Sequence, residues 1–235
     1  MENFRWVGLA KKLTIENDIL ERDIWVNKGL LCGIDEVGRG CLAGPVIAAA
    51  VVLNPGKKSK YVRDSKLMTE QERLLAYKWI VRNSTFGIGI VDHRRIDALN
   101  IYAATQWAMK RAVSQLTAQL SKKPDLMVVD AMPLVFSGEE FTNIPVKSFP
   151  FAESRSISVA AASIVAKVTR DRIMGIIDKS IPGYNLDHHK GYGTQEHSRA
   201  VIEQGSSIIH RQSFLKKSYD KMVEYRYEKQ RELFG

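Results

Sequence analysis

Cysteine is scarce in this chain of 235 residues, which contains only Cys32 and Cys41. The two residues form no CxxC pair, so the sequence carries neither a zinc-ribbon motif nor a dithiol redox motif. We expect both to be free thiols of a cytoplasmic protein, because disulfides are rare in reducing compartments. A redox function and a structural zinc site are therefore poor explanations of this sequence.

Long apolar segments are also missing. No apolar run approaches the ~20 residues that are needed to cross a bilayer, and residues 1–13 lack the apolar core of a secretion signal. The sequence shows no internal repeat, no low-complexity tract and no linker long enough to require two domains. These absences predict a cytoplasmic protein without a membrane anchor.

Acidic residues are outnumbered by basic ones. The chain has 35 Lys plus Arg against 26 Asp plus Glu, which gives a net charge of +9. The basic residues are scattered through a chain of ordinary apolar content, which favours a folded basic face over a disordered arm. Such a face predicts a polyanionic partner, either nucleic acid or an anionic membrane surface.

The most informative stretch runs from Leu31 to Leu53. A short apolar run leads into Asp35 and Glu36, a Gly38-Arg39-Gly40 loop follows, and Val46 to Leu53 has the composition of a buried strand. We interpret this as a metal-binding carboxylate pair at a strand end, beside a loop that can approach a substrate. An ordinary strand end followed by a turn is the alternative. Since neighbouring strand side chains point to opposite faces, both carboxylates can serve one site only if the strand ends or distorts there.

The glycines of this loop also match part of a dinucleotide-binding fingerprint, Gly38-x-Gly40-x-x-Ala43. That motif has to open a helix. Here the loop continues through Gly44-Pro45 into a strand-like run. The sequence therefore argues against a nicotinamide or flavin site.

The periodicity of the remaining chain predicts an α/β protein: a mixed five-stranded sheet flanked by helices, with extra helices near the C-terminus. Thr69-x-x-Glu72 is a capping box that predicts a helix start. Helices are predicted at about residues 14–27 (capped by Thr14), 69–83, 100–120, 157–167 and 194–205, and from residue 215 onward, with strands at 46–53, 85–91, 126–129 and 144–149. The helix at 100–120 is expected to place Tyr102, Trp107, Met109, Val113, Leu116 and Leu120 in the core.

Two further carboxylates stand at the ends of predicted elements. Asp130 terminates the run Leu126–Val129, and Glu153 lies just before the apolar helix that begins near Ile157. Each could be an ordinary strand-end or helix-capping acid. Neighbouring strand ends could equally gather them with Asp35 and Glu36. Such a cluster suits Mg²⁺ or Mn²⁺, which prefer carboxylate oxygens, and two such ions can support phosphodiester hydrolysis.

Two other kinds of site, a zinc site and a serine–lysine hydrolase, match parts of the sequence. His188 and His189 are adjacent but have no third ligand at helical spacing, so a zinc site is weakly supported. Ser163 and Lys167 are four residues apart and share one helix face, which would allow a serine–lysine hydrolase. That helix has the composition of a buried one, which argues against the hydrolase.

Taken together, several motifs in order resemble bacterial type 2 ribonuclease H (ribonuclease HII). They span roughly residues 31–214 and comprise Gly33-Ile34-Asp35-Glu36-Val37-Gly38-Arg39-Gly40, Leu42-Ala43-Gly44-Pro45-Val46, Asp64-Ser65-Lys66, Val129-Asp130, the helix Ser158 to Asp171, His189-Lys190-Gly191-Tyr192 and His210-Arg211-Gln212-Ser213-Phe214. Arg39 favours this family over the sister family, ribonuclease HIII, which usually has threonine between the two glycines.

The resemblance implies a ribonuclease H-like catalytic domain at residues 31–214, a helical extension of it at 1–30, and a helical tail at 215–235 packed on it. It implies a site of four carboxylates, Asp35, Glu36, Asp130 and Glu153, holding two Mg²⁺ or Mn²⁺ ions. Glu153 stands where the family usually has aspartate. Cys41 stands where the family usually has proline.

The resemblance also implies an activity and a set of substrate contacts. The expected enzyme cuts the RNA strand of RNA–DNA hybrids and cuts 5′ to single ribonucleotides in DNA, leaving 5′-phosphate and 3′-hydroxyl ends, and acts as a monomer. Gly38, Arg39 and Gly40 are expected to read the ribonucleotide–deoxyribonucleotide junction and Tyr192 to pack on the neighbouring deoxyribose, with Ser65, Lys66 and Arg211 contacting phosphates. A non-catalytic binder of hybrids is the competing hypothesis.

Overall fold

The computed structural model describes residues 17–135, 141 and 143–216. The helices are α1 (Ile19–Val26), α2 (Glu70–Asn83), α3 (His93–Leu99), α4 (Ile101–Thr117), α5 (Ile157–Ser180), α6 (Leu186–His189) and α7 (Gln195–Gln204). The strands are β1 (Leu31–Val37), β2 (Val46–Leu53), β3 (Ser84–Val91), β4 (Leu126–Asp130) and β5 (Val146–Phe149), and short 3₁₀ turns occur at Ser65–Leu67 and Ala152–Ser154.

The strands form one mixed sheet in the order β3-β2-β1-β4-β5, which confirms the predicted architecture. β1 pairs antiparallel with β2 and parallel with β4, and β4 pairs parallel with β5. Ile34 of β1 lies opposite Val129 of β4 in the ladder. The residues that follow them, Asp35 and Asp130, therefore emerge at the same edge of the sheet.

Helices cover both faces of the sheet. On one face, α4 buries Ala104, Ala108, Ala112 and Val113 against apolar side chains of β1, β2 and β4. The other face carries α5 with α2, and the alanines of α5 lie in a second core with residues of β2. The central strands β1 and β2 are thus buried on both sides, which holds the β1 strand end in a fixed position.

Helix α5 lies unusually close to β1, and Gly33 is the reason. A Cβ atom placed on Gly33 would lie 2.2 Å from the carbonyl carbon of Ser158 and 2.3 Å from the nitrogen of Val159. Only glycine permits this approach without displacing the backbone of one element. The contact brings the first turns of α5 up to the strand that carries Asp35.

The outer edge of β3 is covered by polar side chains from α4 and from Gln119, just beyond the end of that helix. Gln115 accepts a hydrogen bond from the backbone N–H of Ile88 at 2.6 Å. Arg111 donates to the carbonyl of Ile90 at 2.8 Å, and Gln119 donates to the carbonyl of Phe86 at 3.2 Å. Backbone groups that an edge strand would otherwise leave open are therefore bonded within the chain.

The helix predicted at residues 100–120 is confirmed as α4, which begins after Asn100 and ends at Thr117. Helix α3, which ends at Leu99, was not predicted. Asn100 separates the two helices: its φ is +75°, and its side chain accepts from the N–H of Ala103 and so caps α4. Tyr102 is 46% exposed, so its predicted core position is wrong, whereas Met109, Val113 and Leu116 are buried as predicted.

Other boundaries differ or lie outside the described residues. α5 continues to Ser180, well beyond the predicted end near Lys167, and α6 forms one short turn in what was predicted to be a loop. Thr14, the predicted first cap, and most of the predicted C-terminal tail fall outside the described ranges. Within those ranges, none of the helices has the length and apolar character that a bilayer crossing requires.

Helix α1 is tied to the body by a buried acid. One carboxylate oxygen of Glu21 accepts from the hydroxyl of Ser156 at 2.6 Å and from the backbone N–H of Ser158 at 2.9 Å. The same Ser156 hydroxyl accepts from the N–H of Val159 at 3.2 Å. Glu21 therefore caps the start of α5 from outside that helix.

We expect Glu21→Ala to lower the free energy of unfolding by about 2 kcal/mol, because it leaves a helix N–H and a hydroxyl unpaired in the interior. Urea denaturation measures the change. Asp23→Ala, on the exposed side of the same helix, is the matched control and should shift stability by less than about 0.5 kcal/mol. Equal stability of both variants would show that Glu21 does not cap α5.

Candidate active site

Three of the predicted carboxylates meet at one cleft at the sheet edge. Asp35 and Glu36 lie near the end of β1, and Asp130 is the last residue of β4. The cleft is lined by Asp35, Glu36, Val37, Gly38, Arg39, Gly40, Ser65, Lys66, Arg73, Asp130, Ser163, Lys167 and Tyr192. β1 continues through Val37 with Asp35 and Glu36 both paired to β2, so the strand does not end at the two carboxylates as the prediction required, yet both line the cleft.

Glu153 joins this group through the turn that precedes α5. It lies in the 3₁₀ turn Ala152–Ser154, and an oxygen of Asp130 accepts from the backbone N–H of Ala152 at 2.9 Å. This hydrogen bond fixes the turn against the end of β4. Glu153 is buried, and Asp130 acts on its carboxyl group through their charges.

Burial and mutual repulsion shape the electrostatics of the cluster. Burial raises the pKa of Asp35 well above its usual value, and the neighbouring carboxylates of Glu36 and Asp130 raise it further. Burial also raises the pKa of Glu36, against the opposing effect of the Arg39 guanidinium, and it raises the pKa of Glu153. Acids that resist ionisation for these reasons become more stable as anions when a cation lies among them.

The residues present suit a hard divalent cation. One oxygen of Glu36 and one of Glu153 are buried without a hydrogen-bond partner, and carboxylates are the ligands that Mg²⁺ and Mn²⁺ prefer. Within the described ranges, no three His, Cys, Asp or Glu side chains are already gathered around one point as a metal cage. The assignment of Asp35, Glu36, Asp130 and Glu153 as metal ligands therefore stays a prediction.

The loop after β1 carries the glycines that were predicted to contact substrate. Gly38 has a φ of +91°, a backbone conformation that favours glycine. Gly40 faces open space, since a Cβ atom placed on it would meet no atom within 4 Å. The Arg39 guanidinium lies 3.3 Å from a carboxylate oxygen of Glu36, at the rim of the cleft.

Arg211 does not occupy the position that was predicted for it. It is fully buried, and its guanidinium donates to the carbonyls of Gly38 at 2.7 Å, Arg39 at 2.9 Å and Gly44 at 2.9 and 3.0 Å. A guanidinium so placed cannot reach a phosphate in the cleft. The predicted phosphate contact is corrected: Arg211 holds the glycine loop from beneath.

Arg170 supports the same loop and was missed by the sequence analysis. It is fully buried and donates to the carbonyls of Ala43 at 3.1 Å, Pro45 at 3.0 Å and Lys190 at 2.7 Å. Cys41 is buried within this loop, and burial raises the pKa of its thiol, which keeps it protonated at neutral pH.

Ser65 and Lys66 both line the cleft, but one side chain is buried and the other is exposed. The hydroxyl of Ser65 is buried 2.8 Å from the hydroxyl of Ser163, which in turn hydrogen-bonds Asp35. The Lys66 side chain is 72% exposed, and its Nζ atom lies 3.7 Å from an oxygen of Glu153. Lys66 is therefore free to contact a phosphate, whereas Ser65 supports Asp35 through Ser163.

Tyr192 lines the same cleft as Asp35, Glu36 and Asp130. Its ring is partly exposed, and its centroid lies 5.8 Å from Nζ of Lys167 and 5.7 Å from the guanidinium carbon of Arg170. Cations at this distance attract the face of an aromatic ring. The partly exposed ring thus lies at the cleft beside two cationic groups.

Comparison with known proteins agrees with this geometry. Residues 32–220 match the family model described as Ribonuclease HII. A Ribonuclease HII from Dehalococcoides mccartyi is 44% identical over 189 residues, covering 79% of this chain and 85% of the relative. The chain belongs to the ribonuclease HII family. It is therefore a type 2 ribonuclease H, a hydrolase that cleaves nucleic acid.

Solved structures show the same fold. Ribonuclease H2 from Pyrococcus horikoshii superposes with a TM-score of 0.63 at 22% identity, covering 82% of this chain and 98% of that one. Bst-RNase HIII in complex with Mn²⁺ superposes with a TM-score of 0.60 at 19% identity, covering 93% and 76%. Ribonucleases H depend on divalent metal ions and act on RNA–DNA substrates.

The structure supports neither the serine–lysine hydrolase nor the dinucleotide site that parts of the sequence allow. Ser163 is bonded to Ser65, and Lys167 pairs with Asp171 at 2.8 Å, so each has a partner other than the one a serine–lysine hydrolase needs. The glycine loop runs into β2 and not into a helix, so it is not a dinucleotide site. His189 and His210 were named from the sequence, but their contacts with His197 were not predicted, because these contacts join segments that no periodicity relates.

Proposed function

We propose that this enzyme hydrolyses the phosphodiester bond 5′ to a ribonucleotide, both in RNA–DNA hybrids and at single ribonucleotides embedded in DNA. The products would carry 5′-phosphate and 3′-hydroxyl ends. The observation that supports this proposal is a single cleft that joins Asp35, Glu36 and Asp130 to the Gly38–Gly40 loop and to Tyr192.

In this proposal Asp35, Glu36, Asp130 and Glu153 hold two divalent cations, either Mg²⁺ or Mn²⁺. Bound cations would lower the pKa of an attacking water and stabilise the charge that develops on the leaving oxygen. The chain itself contributes orientation. Ser163 holds Asp35 by a hydrogen bond, and the Ala152 N–H holds Asp130.

The glycine loop and Tyr192 are proposed to read the sugar at the junction. At Gly40 a Cβ atom would point into open space, so backbone groups of the loop can approach a 2′-hydroxyl, which is the group that distinguishes RNA from DNA. Gly38 lets the loop turn tightly over Arg170 and so places its backbone beside Gly40. Tyr192 would pack its ring against the next sugar and leave no room for a 2′-hydroxyl there. Arg39 and Lys66 lie at the rim and are the proposed phosphate contacts.

The test uses a DNA duplex with one ribonucleotide, a long RNA–DNA hybrid and an all-DNA duplex, each incubated with Mg²⁺, Mn²⁺ or EDTA. We expect cleavage only with metal and only 5′ to ribonucleotides, mapped with an end label. Tight hybrid binding without any cutting would instead support the binder hypothesis. Cutting of the hybrid but not of the single ribonucleotide would refute the junction-reading role.

Tyr192 can be tested in the same assay. Tyr192→Phe should retain single-ribonucleotide cleavage, because the ring makes the proposed contact, whereas Tyr192→Ala should lose at least about tenfold in rate. Tyr102→Ala removes an exposed tyrosine on α4 and is the matched control. Equal rates for Tyr192→Ala and the control would show that the ring does not contact the substrate.

A further inference from the structure

Three separate segments form one compact cluster behind the cleft. Residues 38–44, 189–192 and 209–211, here called the loop cluster, are joined by backbone hydrogen bonds. The N–H of Leu42 donates to Gly191 at 2.9 Å, the N–H of Gly44 donates to Ile209 at 3.0 Å, and the N–H of Arg211 donates to Leu42 at 2.8 Å. The glycine loop and Tyr192 therefore belong to one bonded unit.

Beneath the loop cluster lie three buried histidines, His189, His197 and His210, with exposures of 7%, 0% and 1%. The rings of His189 and His197 stack at 4.3 Å between centroids. The Nε2 atoms of His197 and His210 lie 3.0 Å apart. One of these two nitrogens must donate and the other accept, so the protons on the rings can be assigned.

The assignment starts at His210. Its Nδ1 atom lies 3.0 Å from the backbone nitrogen of Ser207, which can only donate, and 2.8 Å from the Ser207 hydroxyl, which can donate as well, so Nδ1 is an acceptor without a proton. The proton of neutral His210 is therefore on Nε2, and it is donated to Nε2 of His197. His197 must then carry its own proton on Nδ1, which lies 2.9 Å from the carbonyl oxygen of Tyr192.

His189 is fixed independently by the same logic. Its Nδ1 atom accepts from the N–H of Gly191 at 3.2 Å, and its Nε2 atom donates to the carbonyl of Tyr184 at 2.7 Å. All three rings are thereby neutral, since each has one nitrogen that donates and one that accepts. Burial lowers the pKa of His197 and of His210 to about 4, in accord with neutral rings at physiological pH.

The chain of donors ends at the carbonyl of Tyr192. That oxygen also accepts from the N–H of Thr194 at 2.9 Å, and the N–H of Tyr192 donates to the carbonyl of His189 at 3.0 Å. Both backbone polar groups of Tyr192, its N–H and its carbonyl, are therefore hydrogen-bonded. The hydrogen bonds of His197 link the Tyr192 carbonyl to His210, which belongs to the third segment of the loop cluster.

We propose that His197 and His210 are positioning residues, which fix the orientation of the Tyr192 ring at the cleft by donating in series to the Tyr192 carbonyl. This inference rests on the proposed junction-reading role of Tyr192. The histidines touch neither the carboxylates nor the substrate. The two histidines should therefore influence the relative cleavage rates of different substrates and leave the cleavage rate of a long hybrid unchanged.

The ring tautomers give a spectroscopic test. In protein labelled with ¹⁵N-histidine, two-bond nitrogen–proton spectra at neutral pH should show a proton on Nδ1 of His197, on Nε2 of His210 and on Nε2 of His189. The series of hydrogen bonds from His210 through His197 to the Tyr192 carbonyl is here called the histidine relay. A His197 ring that carries its proton on Nε2, or a charged ring at any of the three histidines, would contradict this relay.

Two substitutions test the function of the relay. In His197→Asn the amide nitrogen occupies the place of Nδ1 and can still donate to the Tyr192 carbonyl, whereas in His197→Gln the amide reaches toward the place of Nε2. The measured quantity is the ratio of cleavage rates, single-ribonucleotide duplex over long hybrid. We expect this ratio to fall about tenfold in His197→Gln and to be largely restored in His197→Asn. The matched control, His188→Gln, removes an exposed histidine beside the relay and should leave the ratio unchanged.

The outcomes separate this inference from the function on which it rests. If wild type cuts at the single ribonucleotide and both His197 variants keep its ratio, the relay has no positioning role and the proposed function stands. A parallel loss on both substrates in His197→Gln also overturns the relay, since it indicates general destabilisation. If wild type itself fails to cut at the single ribonucleotide, the proposed function falls, and the inference falls with it.

Discussion

Asp35→Asn should reduce metal-dependent cleavage of a hybrid by at least about 10²-fold, a loss typical of removing one electrostatic stabiliser from an active site, and should stabilise the metal-free protein. The loss follows from the place of Asp35 in the carboxylate cluster. The gain follows from its burial beside Glu36 and Asp130, which raises the pKa of Asp35. Neutralising such a group removes both repulsion and the cost of burying a charge.

The sign of the stability change follows from the difference in proton binding between the folded and the unfolded protein. The pKa of Asp35 is higher in the folded state than its ordinary value of 3.8, so the folded protein binds this proton more tightly than the unfolded chain does. Ionised Asp35 therefore lowers stability once the pH rises from about 3.8 through the folded pKa. At neutral pH without metal, the asparagine variant should melt about 2–4 °C higher, which is about 1 kcal/mol for a protein of this size.

Thermal melting in EDTA and in Mg²⁺ checks both parts. Wild type should gain stability from Mg²⁺, because a ligand that binds only the folded state raises the melting temperature, and the variant should gain less. Glu203→Gln, an exposed acid on α7, is the control and should change neither rate nor melting temperature. A fully active Asp35→Asn enzyme would remove Asp35 from the metal site. A lower melting temperature in EDTA would refute the repulsion argument.

Arg211→Met should lower the free energy of unfolding by about 4 kcal/mol, since several hydrogen bonds from a charged donor are lost and buried carbonyls remain unpaired. The guanidinium serves the carbonyls of Gly38, Arg39 and Gly44, which lie within or beside the glycine loop. Methionine fills a similar volume but donates nothing. Because the loop would no longer be held, cleavage should also decline, and excess Mg²⁺ should not restore it.

Urea denaturation and hybrid cleavage measure the two effects. Arg94→Met removes an exposed arginine on α3 and should change stability by less than about 0.5 kcal/mol. If Arg211 instead contacted a phosphate, its replacement would weaken substrate binding in a salt-dependent way and leave the unfolding free energy unchanged. That pattern would reinstate the phosphate-contact prediction and refute the buried role.

Local sequence signals were sufficient where local interactions decide the structure. The bounds of β2 follow from one uninterrupted apolar run, and the start of α2 follows from the Thr69–Glu72 capping box, which the structure contains in full. The convergence of Asp35 and Asp130 was predictable because each lies toward the carboxyl end of its strand, and parallel strands present their carboxyl ends at one edge. These features need no knowledge of distant contacts.

What could not be predicted depends on partners far apart in the chain. Arg211 is separated from the carbonyls it serves by 167 to 173 residues, and a basic residue in a loop is most often solvent-exposed. The histidine relay likewise joins two irregular segments on either side of α7. Helix α3 was missed because its seven residues, His93–Leu99, are too few to show a helical apolar period, and among them Ile96 alone is buried.

The polar cover on β3 has a consequence for how this enzyme behaves at high concentration. A free strand edge recruits further strands, and the growth of such assemblies removes protein from solution. Here Arg111, Gln115 and Gln119 already satisfy outward-facing backbone groups of β3, so a second molecule gains little by pairing with it. We therefore expect the three side chains to keep the protein in solution by preventing strand pairing between molecules. Replacing them with alanine should promote aggregation through β3 and leave the cleavage rate unchanged.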